Sequence, residues 1–438
     1  MINPSSNKLR KVLGVAFGIA VVVGGTIGVG ILRAPATIAS ILPNATLILA
    51  CWIIVGFYIL LSASSYAELT TMFPKAGGAY NYVMPAYGRY AGFLTGWFDF
   101  IINAIAPAYF CIVLSEYTGL LLPQLNLPPK LLAVLFLTAF TLINLPNVKS
   151  GSATQQITSA IKVLLFLFLV TGCFVSGPDT QVETVVQPLV QGSIFLAIIK
   201  SVQLIIGAYG GWNSVCFFAE EDDNPSRNVP KSYLIGALTV MILYVLINAA
   251  VLYVLPVEKI ATSPLAASDA AAVAFGPWST KLILIIAIFS LFSILNAYMM
   301  IPSRILFGLS RDGFFVKQGM TVNKGGTPYF SLLFCYVIAV ILIFISSFEQ
   351  LFALDAFLIS IVSGFAFLSL IRLRNKQPLL ERPYKAWGYP FSTYLVLAVT
   401  LALLIGFAFS DHVSLFIVIG IVLLSYPCYK IFARKQDY

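Results

Sequence analysis

The sequence predicts an all-α integral membrane protein, and three observations carry that prediction. First, of 438 residues 59% are hydrophobic and only 10% charged, with a mean hydropathy of +0.93, whereas soluble domains are about 25% charged. Second, apolar windows of about 20 residues recur from end to end, the length a helix needs to cross the hydrocarbon core and well beyond a barrel strand. Third, Lys and Arg gather in alternate loops, as retention on the cytoplasmic side predicts.

Twelve spans follow in order. Span one, about 12–40, succeeds Lys8, Arg10 and Lys11 and holds the run "GGTIGVGI" from Gly24 to Ile31. Span two, about 45–71, has Glu68 near its end. The next stretch, "MFPKAGGAYNYVMPAYGRY", is too polar to cross and reads as an interfacial loop with a short surface helix. Spans three to five cover about 88–122, 130–147 and 155–176, with Asp99 early in the third and Lys162 a third of the way into the fifth. Span six, about 193–221, carries "GAYGG" at a depth matching the glycines of span one. Span seven, about 231–255, leads into a long outer loop with an Ala-rich helix starting near Ser268. Spans eight to twelve occupy about 278–310, 328–347, 351–374, 389–409 and 413–433. No Ser/Gly linker or charge block divides residues 1–438, so the chain reads as one transmembrane domain.

The charge placement fixes an orientation. The net charge of +9 comes from bases such as Lys75, Arg89, Lys149, Arg227, Lys231, Arg304, Arg311, Lys317, Arg372, Arg374, Arg382, Lys430 and Lys435, all assigned to one face. Opposite loops carry Lys130, Lys259 and Lys281 with acids such as Asp179, Glu183, Glu258 and Asp411. Both termini are therefore expected in the cytoplasm of a multi-pass inner-membrane protein, and the bases answer to the lipid bilayer, not to nucleic acid. The first apolar stretch is too long for a signal peptide. Six scattered cysteines lack CxxC spacing and the lone His412 falls in an outer loop, so no metal and no cofactor is expected. An enzyme would need a nucleophile with its base or paired metal ligands, a channel a polar-lined pore, and a primary pump a nucleotide loop; the sequence offers none of these sets.

The glycines need a reason, since each costs about 1 kcal/mol against alanine inside a helix. One cluster is compatible with close helix packing. Two clusters at corresponding places of two five-span halves point to paired discontinuous helices and a transporter binding site. A break at mid-membrane exposes N–H groups on one half-helix and carbonyls on the other. The first suits a carboxylate and the second an ammonium, and a zwitterionic α-amino acid presents both. Glycine lets such a ligand approach the main chain without a Cβ in the way.

These residues also resemble a family. "GGTIGVGI" is similar to the first-span signature of the amino acid–polyamine–organocation superfamily, and "AELTTMFPKAGGAYNYV" to its loop after span two. "GFLTGWFDF", "AYGGWNSVCFFAEEDDNPSRNVPKS", "NAYMMIPSRILFGLSRDGFF" and "RPYKAWGYP" resemble its later motifs in the correct order, nearest to bacterial relatives of the L-type amino-acid transporters. The resemblance implies a five-plus-five inverted repeat of the leucine-transporter type, about 12–176 and 193–374, with discontinuous helices one and six and two extra helices at about 389–433. It implies a secondary amino-acid transporter working by alternating access, an exchanger or proton-coupled symporter independent of sodium. A polyamine or amine/amino-acid antiporter of the same fold is the alternative. The carboxylate would meet N–H groups around Gly28, Val29 and Gly30, and the ammonium carbonyls near Thr26 and Gly207 to Ala208, with Tyr209, Gly210, Gly211, Trp212 and Asn213 shaping the pocket. Val29 replaces a common Ser, and Gly207 stands where L-type relatives have a bulky aromatic gate. The loop "LPQLNLPPK" lacks the cysteine through which some relatives join a partner subunit, so no disulfide-linked partner is expected.

An ionisable group within a span is functional by default. Lys162 either snorkels to the surface or, as the resemblance implies, reaches between spans one and eight to replace a sodium ion, with protons as a coupling ion. Glu220 and Glu221 read as solvated loop charges facing Arg227 and Lys231, with an inner gate formed with basic loops as the alternative, and Glu68 and Asp99 as structural acids. Arg33, Glu116 and Lys200 are expected toward the outer side.

Overall fold

A computed structural model describes residues 8–178, 194–263, 265–346, 348–410 and 412–434. Asp179, Glu183, Asp411 and Lys435 lie outside the described residues. The elements run α1 (Val15–Thr26), α2 (Val29–Ala39), α3 (Ala45–Met72), α4 (Tyr80–Tyr87), α5 (Arg89–Leu121), α6 (Pro129–Asn144), α7 (Val148–Ser176) and α8 (Ile194–Ala208). They continue with α9 (Pro225–Val254), α10 (Val257–Thr262), α11 (Ala266–Phe275), α12 (Ser279–Arg311), α13 (Tyr329–Ile345), α14 (Phe348–Lys376), α15 (Phe391–Ser410) and α16 (His412–Arg434).

Eight of these helices are long and apolar enough to cross a membrane, and the bent pair α1–α2 makes a ninth. The shorter apolar helices α6, α8, α11 and α13 complete the bundle. Starts are set where an Asn side chain satisfies an orphan N–H: Asn44 accepts from Leu47 N at 3.1 Å before α3 and Asn147 from Ser150 N at 2.8 Å before α7. The polar stretch after α3 forms the short helix α4, turned into α5 at Gly88, whose φ of +95° suits glycine. The Ala-rich helix expected in the loop after span seven is α11.

Burial ranks the helices. The apolar window of α5 is 89% buried and that of α12 78%, against 11% for α16, so α5 and α12 form the centre and α16 faces the surroundings. α1 packs on α7 and α9, and α3 on α9.

Two spans are interrupted. α1 and α2 meet at a 44° bend over Ile27 and Gly28. α8 ends at Ala208, and the chain then runs through turns and a single 3₁₀ turn, Ser214–Phe217, to Glu221. The second half of span six is thus not the helix the apolar pattern implies. Gly211 turns the chain at φ +94°, and a Cβ there would lie 2.4 Å from Gly25 O, so the unwound backbone of span six touches that of span one. The basic-face ends are also joined: Glu221 O accepts from Val12 N and Leu13 N at 2.9 Å each, and Leu13 O accepts from Asp223 N at 3.0 Å.

Candidate functional site

A cavity of about 500 Å³ begins at the break in span one and extends toward the face opposite the basic one. Gly25, Thr26, Gly28 and Gly30 line its floor with Gly207, Ala208 and Gly210. Its walls come from Tyr109 and Phe110 of α5, Ile294 and Tyr298 of α12, Asp355 of α14 and Phe407 of α15. Arg33 of α2 and Lys200 of α8 line the same space away from the basic face.

The floor is built from helix ends. The first N–H groups of a helix lack intrahelical acceptors, and among the described residues no side chain caps α2 behind Gly28. The positive end of α2 therefore faces the cavity through Gly28 and Gly30. Gly30 sits so close to α8 that a Cβ would lie 3.2 Å from Ala208 Cα. Gly24 serves packing instead: a Cβ there would come within 2.1 Å of Gln155 Nε2 and 2.3 Å of Ser159 Oγ.

The carbonyl ends have partners that pull them into place. The Lys162 ammonium is fully buried, which rules out snorkelling; it donates to Gly24 O at 2.8 Å and to Ile27 O. The break leaves Gly24 O beyond the last intrahelical bond of α1, Ile27 N to Val23 O, so the lysine takes the role of the missing N–H. Tyr244 of α9 donates to Thr26 O at 3.1 Å and Ala208 O at 2.9 Å, bringing carbonyls of both interrupted spans to one point. The Thr26 hydroxyl is buried and finds no protein partner among the described residues. Beside Lys162's span, Gln155, Ser159, Ser293 and Asn296 form a buried polar network between α7 and α12.

Of the residues singled out in the sequence, Thr26, Gly28, Gly30, Gly207, Ala208 and Gly210 line the cavity. Val29 opens α2, and its backbone lies between two lining glycines. Tyr209, Gly211, Trp212 and Asn213 do not line the cavity. The Tyr209 ring packs 4.8 Å from Tyr244 and 6.1 Å from Trp52. Trp212 meets Tyr66 edge-on at 4.9 Å, and Asn213 O accepts from the Tyr233 hydroxyl at 3.0 Å. Gly207 is exposed, and among the described residues nothing lies within 4 Å of a Cβ placed there.

Below the floor the basic-face side is closed by charge pairs that correct two expectations. Glu221 is buried, not a solvated loop charge, and takes two bonds from Arg304, at 2.9 Å from Nε and 3.1 Å from Nη2. Arg304 is itself 1% exposed, inside α12 and not in a loop. Glu220 pairs with Arg311 and accepts from Ala76 N at 2.9 Å. The acids thus pair with α12, not with Arg227 and Lys231. In the adjoining turn, burial pushes the Asp222 carboxyl up from its usual range, opposed by donation from Asn224 N and Asn228 Nδ2. Glu68 is buried against Arg374 and Arg382, and Asp99 accepts from Ala79 N at 3.1 Å. Five of the cysteines are buried and Cys428 is exposed; all are free thiols.

A multi-pass helical membrane protein, with a closed basic face and a cavity over two facing helix breaks, belongs by architecture to the transporters. The family model for amino acid permeases matches residues 13–427, and the chain belongs to that family. It is 28% identical over 436 residues to the serine/threonine exchanger SteT of Bacillus subtilis (strain 168), covering 98% of each chain. It is 30% identical over 442 residues to the mouse b(0,+)-type amino acid transporter 1, covering 95% of this chain and 88% of that one. The human large neutral amino acids transporter small subunit 2 is 30% identical over 399 residues, or 86% and 72% of the two chains.

Sequence reasoning missed Tyr244, Asp355 and Arg304 as parts of the site. Arg304 and Asp355 carried a signal, since each is a charge within a predicted span. Tyr244 carried none, because a tyrosine in an apolar helix looks like any other core aromatic.

Proposed function

We propose that the chain exchanges α-amino acids across the inner membrane by alternating access, with both termini in the cytoplasm and without sodium. The fold is then twelve spans in a five-plus-five inverted repeat, about 12–176 and 193–374, followed by two extra helices. The substrate carboxylate meets the N–H groups at Gly28, Val29 and Gly30, where the α2 dipole favours negative charge. The α-ammonium joins Thr26 O and Ala208 O, beside the Tyr244 hydroxyl, each carbonyl having a second lone pair. Gly207 and Gly210 keep that approach open, while Tyr209, Gly211, Trp212 and Asn213 support the floor from behind. Lys162 supplies fixed positive charge at the end of α1, in place of a bound cation.

The observation that carries this reading is the uncapped start of α2 opening into a cavity floored by the carbonyl ends of both interrupted spans. The similarity to proteins named as amino acid exchangers and transporters agrees with it. The test is uptake of labelled amino acids by purified protein in liposomes, with and without internal amino acid, a pH gradient or sodium. Uptake that requires a preloaded lumen and ignores sodium is expected. Uptake of no amino acid refutes the substrate, and a strict sodium requirement refutes the role of Lys162.

A further inference from the structure

Asp355 has no part in the main-chain recognition of a zwitterion, yet it lies on the wall of the same cavity, near the start of α14. Its Oδ1 is buried, and among the described residues no protein donor reaches it. It stands close enough to Tyr109 and Tyr298 to interact with both electrostatically. Tyr298 packs on Phe110 at 5.4 Å, and these rings line the cavity together with the half-buried acid. A carboxylate removed from water is costly unless paired and hydrogen-bonded, and a carboxylate oxygen accepts bonds only. What completes the wall is a donor, ideally a cationic one.

The two bases of the cavity do not fill that place. Lys200 is exposed and, among the described residues, is not a hydrogen-bond partner of the buried Asp355 Oδ1. The Arg33 guanidinium lies 5.9 Å from the centre of the Tyr117 ring, on the α5 side. The helix ends and Asp355 line one cavity, and among the described residues nothing lies within 4 Å of a Cβ placed at Gly207, which lines it too.

We propose, resting on the reading above of the floor as the α-amino and carboxylate site, that Asp355 binds the side-chain cation of the substrate. The preferred substrates are then α-amino acids ending in an ammonium or guanidinium group, such as lysine, ornithine or arginine. The far nitrogen donates to Asp355 while the zwitterionic end occupies the interrupted helices, and aromatic rings line the methylene stem.

The test compares lysine with its uncharged near-isostere norleucine in the liposome assay, reading the ratio of their kcat/KM values for the wild-type chain, Asp355→Asn and Asp355→Glu. A wild-type preference for lysine is expected, falling at least tenfold in Asp355→Asn and largely kept in Asp355→Glu. Two results overturn the assignment: a wild-type chain that favours norleucine, or a ratio that Asp355→Asn leaves unmoved, including the case where only the pH dependence changes. Transport of norleucine by the wild-type chain separates the two readings, because it sustains the zwitterion site even where the lysine preference fails. A chain that carries neither amino acid refutes the site itself.

Discussion

Lys162→Met is the most direct probe of how the break in span one is held. Methionine keeps the unbranched apolar stem in its slot and removes only the ammonium, so the packing loss of an alanine is avoided. The structure then leaves Gly24 O and Ile27 O without the donor they share. An orphaned buried acceptor costs about 1–3 kcal/mol, so two cost about 2–6 kcal/mol before the relief of no longer burying a charge. Even the lower figure exceeds the 1.4 kcal/mol that shifts an equilibrium about tenfold. The conformer with an intact break should therefore be depleted, and exchange of labelled amino acid in liposomes should fall at least tenfold. Thermal unfolding in detergent, measured on the same sample, separates this from global misfolding. A folded Lys162→Met chain exchanging at the wild-type rate, with the same pH dependence, would falsify the claim that the lysine organises the break.

Three further outcomes follow from the geometry. Tyr244→Phe removes the single hydroxyl shared by Thr26 O and Ala208 O without changing shape; the half-saturating amino acid concentration should change by severalfold while the chain still folds, and equal values would dissociate Tyr244 from the site. Arg304→Ala strands the buried Glu221 carboxylate, a loss of about 3–5 kcal/mol; in a Cys428→Ser background, buried Cys216 should react faster with a thiol reagent applied from the basic face, and an unaltered labelling rate contradicts its part in closing that side. Gly207→Phe projects a ring into open cavity and should exclude long side chains ahead of small ones, whereas Gly211→Ala, strained at φ +94° and against Gly25 O, should abolish transport. Small and large amino acids losing uptake alike in Gly207→Phe would show that Gly207 does not border the side-chain space.

What could be read from the sequence is what the bilayer imposes locally. Twenty apolar residues in a row announce a span wherever they occur, and the outlines of α3, α5, α9 and α12 follow from that alone. Gly28 and Gly30 announced the break because glycine is unfavourable in a helix unless the backbone is needed for something else. The face a residue takes in an unwound segment is another matter. Without a helical period there is no rule for which of Tyr209, Gly210, Gly211 and Trp212 turns to the cavity, and only Gly210 does. Partners distant in the chain are equally silent: Glu221 and Arg304 are 83 residues apart, and no local pattern joins them. Lys162 could equally have reached the membrane surface; its burial depends on how α7 is rotated against α1, and the polar residues before it, Thr154, Gln156 and Thr158 as well as Ser152, Gln155 and Ser159, do not by themselves say which face turns inward.

The placement of these partners implies which parts move together. On the basic-face side, the ends of the two interrupted spans are joined by main-chain bonds at Val12, Leu13, Glu221 and Asp223, and their middles touch at Gly25 and Gly211. Lys162 and Tyr244 attach those same middles to α7 and α9. Toward the cavity, by contrast, α2 and α8 approach through Gly30 and Ala208, two residues with almost no side chain to interlock. On the proposed site, a substrate lying across that contact would bond to the start of α2 and the end of α8 at once, and so would add the cross-link that the small residues omit. Its binding energy is then available to draw the two outer half-helices together over a lower half that is already one unit. That is differential affinity for the closed state, the condition under which a ligand shifts a conformational equilibrium.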